Sequence, residues 1–204
     1  MRGDFALAGH TDDMKTTPPT PERLAGFSDG VLAVIITIMV LDLKAPHGAN
    51  WEALVPLWPT FLSYAMSYLF VGVFWSNHHH SLRAARVADH RLVGANLFAL
   101  FPISLLPFCT AYLAENRFAS FPTAVYAGVM LFATFTYLIL QRVIAAQSGA
   151  AAKGWLKRAN KRDWLSGAAF VLAVPAAYVH PALSLGLILT GVVLYLLPNA
   201  VMRI

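Results

Sequence analysis

Charged residues are scarce in this chain. Asp, Glu, Lys and Arg together make up 12% of its 204 residues, whereas hydrophobic residues make up 58%. A soluble domain carries roughly 25% charged residues, so this chain has too little polar surface to cover a water-soluble globule. Because a helix that spans a bilayer needs about 20 apolar residues, the length is sufficient for about six or seven spans with short loops.

Cysteine and acidic residues are also few. The single cysteine, Cys109, excludes an internal disulfide and a cysteine-based metal cluster. A membrane enzyme would need several acidic or nucleophilic residues that converge at one interface, but the chain has only ten acidic residues. Three adjacent histidines at positions 78–80 would point about 100° apart on a helix and could not converge on one ion. We therefore predict no enzymatic activity, no catalytic residue, no metal site and no cofactor.

Six apolar stretches are predicted to form transmembrane helices, which makes the chain an all-α integral membrane protein. Thr20 and Pro21 suit the N-cap and the first position of helix 1. Pro102 and Pro107 predict a kink in helix 3. Polar residues 1–19 are predicted to be a disordered cytoplasmic tail, and residues 20–204 the six-helix channel domain. The predicted helices cover residues 20–44, 56–77, 92–113, 122–144, 164–179 and 181–201.

Positive charge predicts the orientation of these helices. Of the 15 lysines and arginines, all except Lys44 and Arg117 fall on the side that holds both termini, the 2–3 loop and the 4–5 loop. Basic residues are enriched in cytoplasmic loops, so we predict cytoplasmic termini and a multi-pass protein of the cell membrane, the inner membrane in a prokaryote. The 4–5 loop, Lys153 to Arg162, is predicted to bind anionic lipid headgroups, and no nucleic-acid partner is expected.

Asp29 lies inside helix 1, about 13 Å along its axis. An ionised carboxylate that faces lipid at this depth costs at least about 2.5 kcal/mol, so Asp29 must face protein or water. The predicted partners lie at the cytoplasmic end of helix 2, with His79 favoured among the histidines; they are Trp75, Asn77, His78, His79 and His80. Two interpretations remain open: Asp29 locks helix packing, or it is the coupling carboxylate of a proton- or ion-coupled secondary transporter.

The remainder of helix 1 is almost entirely apolar. Helical spacing places Val34, Ile38 and Leu41 on one stripe, with Thr37 beside it. On spacing alone such a stripe indicates lipid contact or core, and Thr37 would bond a carbonyl of its own helix. The sequence has no Thr-Val-Gly-Tyr-Gly segment, so a carbonyl-lined potassium filter is not expected.

One segment of helix 1 carries a specific resemblance. It reads Arg23-x-x-x-Phe27-Ser28-Asp29-Gly30-Val31, followed by the apolar run with Thr37. This segment resembles the signature of the endosomal and lysosomal potassium channel family. The chain is similar to the prokaryotic members, which carry a single six-helix repeat. The end of helix 2, from Val71 to His79, also fits the family pattern.

The resemblance implies a potassium-permeable homotetramer in which helix 1 of four subunits lines a central pore. It implies a hydrophobic constriction with Val34 at the narrowest ring, Ile38 and Leu41 toward the outside, and Thr37 as the residue associated with selectivity. It also implies a polar network that joins helix 1 to helices 2 and 3. The members here would be Arg23, Phe27, Ser28, Asp29, Trp75, Asn77 and His79. Because an apolar ring cannot replace an ion's hydration shell, conduction would depend on pore diameter and wetting.

Overall fold

The computed structural model describes residues 20–196, except for the side chains of residues 150–153 and 155–161. All regular structure in the described part is helical, and it contains no strand. The predicted tail, residues 1–19, and the predicted end of helix 6 after residue 196 lie outside the described residues. The ranges below are therefore those of the described chain.

The first helix, α1, spans Pro21–Leu41, so it starts as predicted but ends three residues before the predicted end near Lys44. The Thr20 side chain accepts a hydrogen bond from the backbone N–H of Arg23 at 3.4 Å, and Pro21 occupies the first turn, where its missing N–H has no cost. Glu22 places negative charge at the positive end of the helix dipole. These local signals fix the start of the helix without help from the rest of the chain.

The second predicted helix is longer than expected. A short helix, α2 (Trp51–Leu54), and a 3₁₀ turn (Val55–Leu57) lead into α3, which spans Trp58–Leu82. The predicted end at residue 77 is wrong because the helix continues through the three histidines. His78, Ser81 and Leu82 are buried, so tertiary packing carries the helix past its polar end.

The third predicted helix is broken at its prolines. The helix α4 spans His90–Ser104 and α5 spans Leu106–Glu115, with Leu105 between them. Pro102 lies inside α4 and Pro107 lies in the first turn of α5, so two backbone N–H donors are missing near the break. The predicted kink is therefore confirmed.

The last three helices form a compact unit. The helix α6 spans Ser120–Gln147, α7 spans Ala150–Val179, and α8 spans Pro181–Leu196. The predicted start of helix 5 at residue 164 is wrong, because α7 begins 14 residues earlier, at Ala150. The Ser184 hydroxyl donates to the Ala173 carbonyl at 2.7 Å and joins α8 to α7 in an antiparallel hairpin.

Four of the described helical segments are long and apolar enough to cross a membrane. The apolar helix α8 is shorter, with 16 described residues. The largest fully buried side chains include Tyr126, Tyr137 and Phe170, so aromatic residues of α6 and α7 fill much of the core. The four helical segments that could cross a membrane are Pro21–Leu41, Trp51–Leu82, His90–Glu115 and Ser120–Gln147.

The contact between Gly191 and Phe170 makes the α7–α8 hairpin sensitive to one added methyl group. A Cβ atom at Gly191 would lie 2.6 Å from Cε1 of Phe170 and 2.9 Å from Cζ. We expect Gly191→Ala to lower the free energy of unfolding by about 1–3 kcal/mol through overpacking. Thermal unfolding of the detergent-purified protein measures this loss. The matched control is Gly186→Ala in the same helix, where a Cβ would meet nothing within 4 Å. Equal losses in both variants would contradict the prediction.

Candidate functional site

The helix α1 has one face packed against the chain and one face uncovered by it. Leu24, Leu32, Ile35 and Met39 are buried on the packed face. Five large side chains of α1 are left open by the single chain; one of them, Val40, projects away from the rest, and the other four lie together on one face. These four are Phe27, Val34, Ile38 and Leu41, with exposed fractions of 51%, 55%, 45% and 74%. We call Val34, Ile38 and Leu41 the α1 stripe.

Thr37 lies beside the α1 stripe, and its side chain is turned back onto its own helix. Its hydroxyl donates to the Val34 carbonyl at 2.9 Å, and the residue is exposed. The bond satisfies the hydroxyl hydrogen locally, while the oxygen keeps acceptor capacity that can face a pore or lipid.

Asp29 joins α1 to α3. The Trp75 indole Nε1–H donates to Asp29 Oδ1 at 2.8 Å, and His79 Nδ1 lies 3.6 Å from Asp29 Oδ2. The carboxylate is about one-third exposed, at 37% of its side chain, and it borders an open cavity of about 280 Å³ between the two helices. Asp29 and Ile38 are nine residues apart, or two and a half turns, so this carboxylate lies opposite the α1 stripe.

Ser28 joins α1 to a second, fully buried group of polar side chains. The Ser28 hydroxyl donates to the Leu24 carbonyl at 2.9 Å and accepts from Nδ2 of Asn96 at 2.9 Å. The Oδ1 atom of Asn96 lies 2.7 Å from Nε2 of His78. Because a carbonyl oxygen only accepts, this contact places a proton on Nε2 of His78.

The structure brings four members of the predicted network into these two groups, namely Ser28, Asp29, Trp75 and His79. Of the others, Asn77 turns to α7 and Phe27 lies on the uncovered face. The side chain of Arg23 is exposed and makes no hydrogen bond to another described side chain.

Sequence reasoning missed Asn96, and it offered His78 only as a possible partner of Asp29, whereas the structure pairs His78 with Asn96. Asn96 is the one amide side chain in the apolar stretch 92–113 of the sequence, and that isolation was the available signal. A buried amide inside a membrane helix needs partners, just as Asp29 does.

The two groups together restrict how α1 can rotate. Ser28 and Asp29 are neighbours, so they project about 100° apart and hold the helix from two directions. Both directions point away from the α1 stripe. Among residues 20–196, no group of three or more His, Cys, Asp or Glu side chains is arranged to hold a metal ion. The two polar groups therefore fix the rotation of α1 and, with it, the direction in which the α1 stripe points.

Comparison with known proteins identifies similar chains. The family model described as endosomal/lysosomal potassium channel TMEM175 matches residues 23–107. A potassium channel of Chryseobacterium sp. (strain P1-3) is 37% identical over 183 residues, which cover 88% of this chain and 94% of that protein. A potassium channel of Streptomyces collinus is 38% identical over 117 residues, which cover 53% of this chain and 57% of that protein.

A solved structure is also similar. It is a crystal structure described as a lysosomal potassium-selective channel TMEM175 homologue from Chamaesiphon minutus. It superposes with a TM-score of 0.78 at 26% sequence identity, and the match covers 88% of this chain and 97% of that one.

Proposed function

The chain belongs to the TMEM175 family as a prokaryotic member, and from this premise we propose that it is a potassium-permeable channel whose pore is lined by α1 of four subunits. Members of this family are channels, which are not enzymes, and the chain is an α-helical membrane protein. The single observation that carries the proposal is the α1 stripe, which the chain leaves uncovered while it fixes the opposite side of the helix.

The proposed constriction consists of stacked aliphatic rings. Val34 forms the narrowest ring, and Ile38 and Leu41 form rings further outward, over about 10 Å of the helix axis. Such rings offer an ion no replacement for its hydration shell, so conduction depends on diameter and wetting and the pore closes by dewetting. Thr37 adds the one hydroxyl beside the narrowest ring, and we assign it to selectivity. Potassium is the permeant ion and no cofactor is required.

The proposed topology has six transmembrane helices and cytoplasmic termini in the cell membrane, the inner membrane of a prokaryote. The antiparallel α7–α8 hairpin returns the chain to the side where α6 ends, which supports an even number of spans. The distribution of basic residues supports the orientation. The basic segment from Lys153 to Arg162 is proposed to bind anionic headgroups at that surface.

Ion flux from liposomes tests the channel directly. We expect purified protein to carry current whose reversal potential follows the potassium gradient in mixed potassium and sodium solutions, and cross-linking to stop at four subunits. The competing function, a coupled transporter, would move ions without a channel conductance. The variant Asp29→Asn separates the two, because loss of a coupling carboxylate abolishes transport, whereas a channel keeps a conductance with a lower open probability. Transport without conductance, abolished by Asp29→Asn, would overturn the proposal.

A further inference from the structure

Two charged residues of α7 are buried among four helices. Arg162 is 6% exposed and Asp163 is 0% exposed, although Arg and Asp are almost never fully buried unless they are paired. The Arg162 Nη2 atom donates to Oδ1 of Asn77 in α3 at 2.6 Å. The guanidinium carbon of Arg162 also lies 5.5 Å from the ring centroid of Tyr195 in α8, which is a cation–π distance. One arginine therefore contacts both α3 and α8.

Asp163 completes the junction on the α6 side. Its Oδ2 atom accepts a hydrogen bond from Nε2 of Gln141 at 2.6 Å, and its Oδ1 atom lies 3.6 Å from Nε of Arg162. One turn along, the hydroxyl groups of Ser81 and Tyr137 are 2.7 Å apart and join α3 to α6 again. The Arg162–Asn77 and Gln141–Asp163 hydrogen bonds each include a charged group, and such charge-assisted bonds are short and strong, especially where water is excluded. The junction is thus built to hold four helix segments in one arrangement.

Asn77 connects this junction to the polar groups that hold α1. Trp75 and His79 are four residues apart and therefore share one face of α3, the face that meets Asp29. Asn77 lies two residues from each of them, which turns it about 200° to the opposite face. The Asn77 Nδ2–H bonds the Val73 carbonyl at 3.0 Å, which fixes the amide with its oxygen toward Arg162. The end of α3 is held from one side by α7 and itself holds α1 on the other.

We propose that Arg162 is a positioning residue for the pore: its bond to Asn77 ties the α7–α8 hairpin to the end of α3 and so fixes Trp75 and His79 against Asp29 of α1. The effect on gating rests on the proposed channel function, whereas the mechanical link does not. A chain in which the hairpin merely covers the bundle would not need a buried arginine aimed at Asn77, the α3 residue midway between the two Asp29 partners.

Hydrogen exchange tests the mechanical link without any measurement of current. The variant Asn77→Leu removes the acceptor and leaves the Arg162–Asp163 pair intact. We expect amide exchange in residues 75–82 and in residues 24–32 of α1 to become about tenfold faster, because loss of a charge-assisted hydrogen bond lowers the cost of local opening. Asn77→Asp keeps an acceptor for the guanidinium and should restore the slow rates. Faster exchange in α3 alone, with α1 unchanged, would overturn the proposal.

Arg162→Lys provides a second route that keeps the charge beside Asp163. A lysine ammonium is a point charge and lacks the planar fork that reaches Asn77 while stacking on Tyr195. The same two segments should exchange faster in this variant. Arg142→Met is the matched control. Arg142 follows Gln141 near the end of α6, but its side chain is exposed. Equal acceleration in the control and in Arg162→Lys would contradict a specific link.

Single-channel recording then tests the consequence for the pore. In Arg162→Lys and Asn77→Leu tetramers of unchanged size, we expect mean open time to fall about tenfold while unit conductance stays the same. Unchanged gating together with faster exchange would reduce the junction to a structural role and overturn the positioning role. If the wild-type protein carries no current, the proposed function fails, and the exchange measurements alone decide the link between α7 and α1.

Discussion

Replacing Ile38 by asparagine is expected to raise the unit conductance for potassium about tenfold. Ile38 lies in the middle of the α1 stripe, and 45% of its surface is uncovered in the single chain. Four asparagines around an axis would supply amide donors and acceptors that hold water in a ring which otherwise dewets. A tenfold rise requires the barrier to fall by only about 1.4 kcal/mol, which is about the net value of one hydrogen bond. Recordings in planar bilayers with symmetric potassium chloride measure the change.

The same substitution on another face of α1 provides the control. Val40 is also a β-branched residue of α1 and is 43% exposed, but it lies two positions from Ile38 and so projects about 160° away from it. Val40→Asn should change conductance less than about twofold. The ratio of potassium to sodium permeability should fall only in Ile38→Asn. Both ions can pass a wetted ring without losing water from their hydration shells, so the ring no longer favours the ion that loses water more readily. Equal responses of the two variants, or no response to Ile38→Asn, would place the pore elsewhere.

The start of α1 and the break between α4 and α5 could be predicted because their causes are local. Thr20 and Pro21 determine where α1 begins, and Pro102 and Pro107 remove hydrogen bonds wherever they occur in a helix. The periodicity of α1 likewise separates the α1 stripe from the buried residues. Predictions of this kind need no knowledge of other helices.

The early start of α7 could not be predicted from hydropathy. The stretch that begins at Ala150 is rich in lysine and arginine, and this composition is typical of a loop between membrane helices. Lysine, arginine and alanine are nevertheless good helix formers, and the end of this stretch is buried through the bonds of Arg162 and Asp163 to other helices. Whether a charged residue can be buried depends on its partner, and the partners here are 85 and 22 residues away in sequence.

The three histidines show the same limit on a smaller scale. The sequence indicated that they diverge and favoured His79 as the partner of Asp29, but it could not show that His78 faces Asn96. The structure turns His78 inward to Asn96 and His79 outward to Asp29. Pairing of His78 with Asn96 depends on how α3 packs against α4, which no local pattern in either helix determines.

Asn96→Leu is expected to be among the most damaging single substitutions in the bundle, with a loss of about 2–4 kcal/mol in the free energy of unfolding. Asn96 is fully buried and bonds Ser28 on α1 and His78 on α3 at once. Leucine fills similar space but leaves the imidazole N–H of His78 buried without an acceptor. Ser28 loses one partner and keeps its bond to the Leu24 carbonyl, so most of the cost arises at His78.

A double variant separates this cost from a simple packing defect. His78 stacks on Phe74 with ring centroids 5.5 Å apart, so a phenylalanine at position 78 can occupy the same space. Because replacing both partners by apolar groups is nearly neutral, Asn96→Leu with His78→Phe should recover more than half of the lost stability, as measured by thermal unfolding in detergent. Asn116→Leu, at an exposed amide at the end of α5, should change stability by less than about 1 kcal/mol. If the double variant is no more stable than Asn96→Leu, the buried polar group does not hold α1 by its hydrogen bonds, and the orientation of the α1 stripe must come from packing alone.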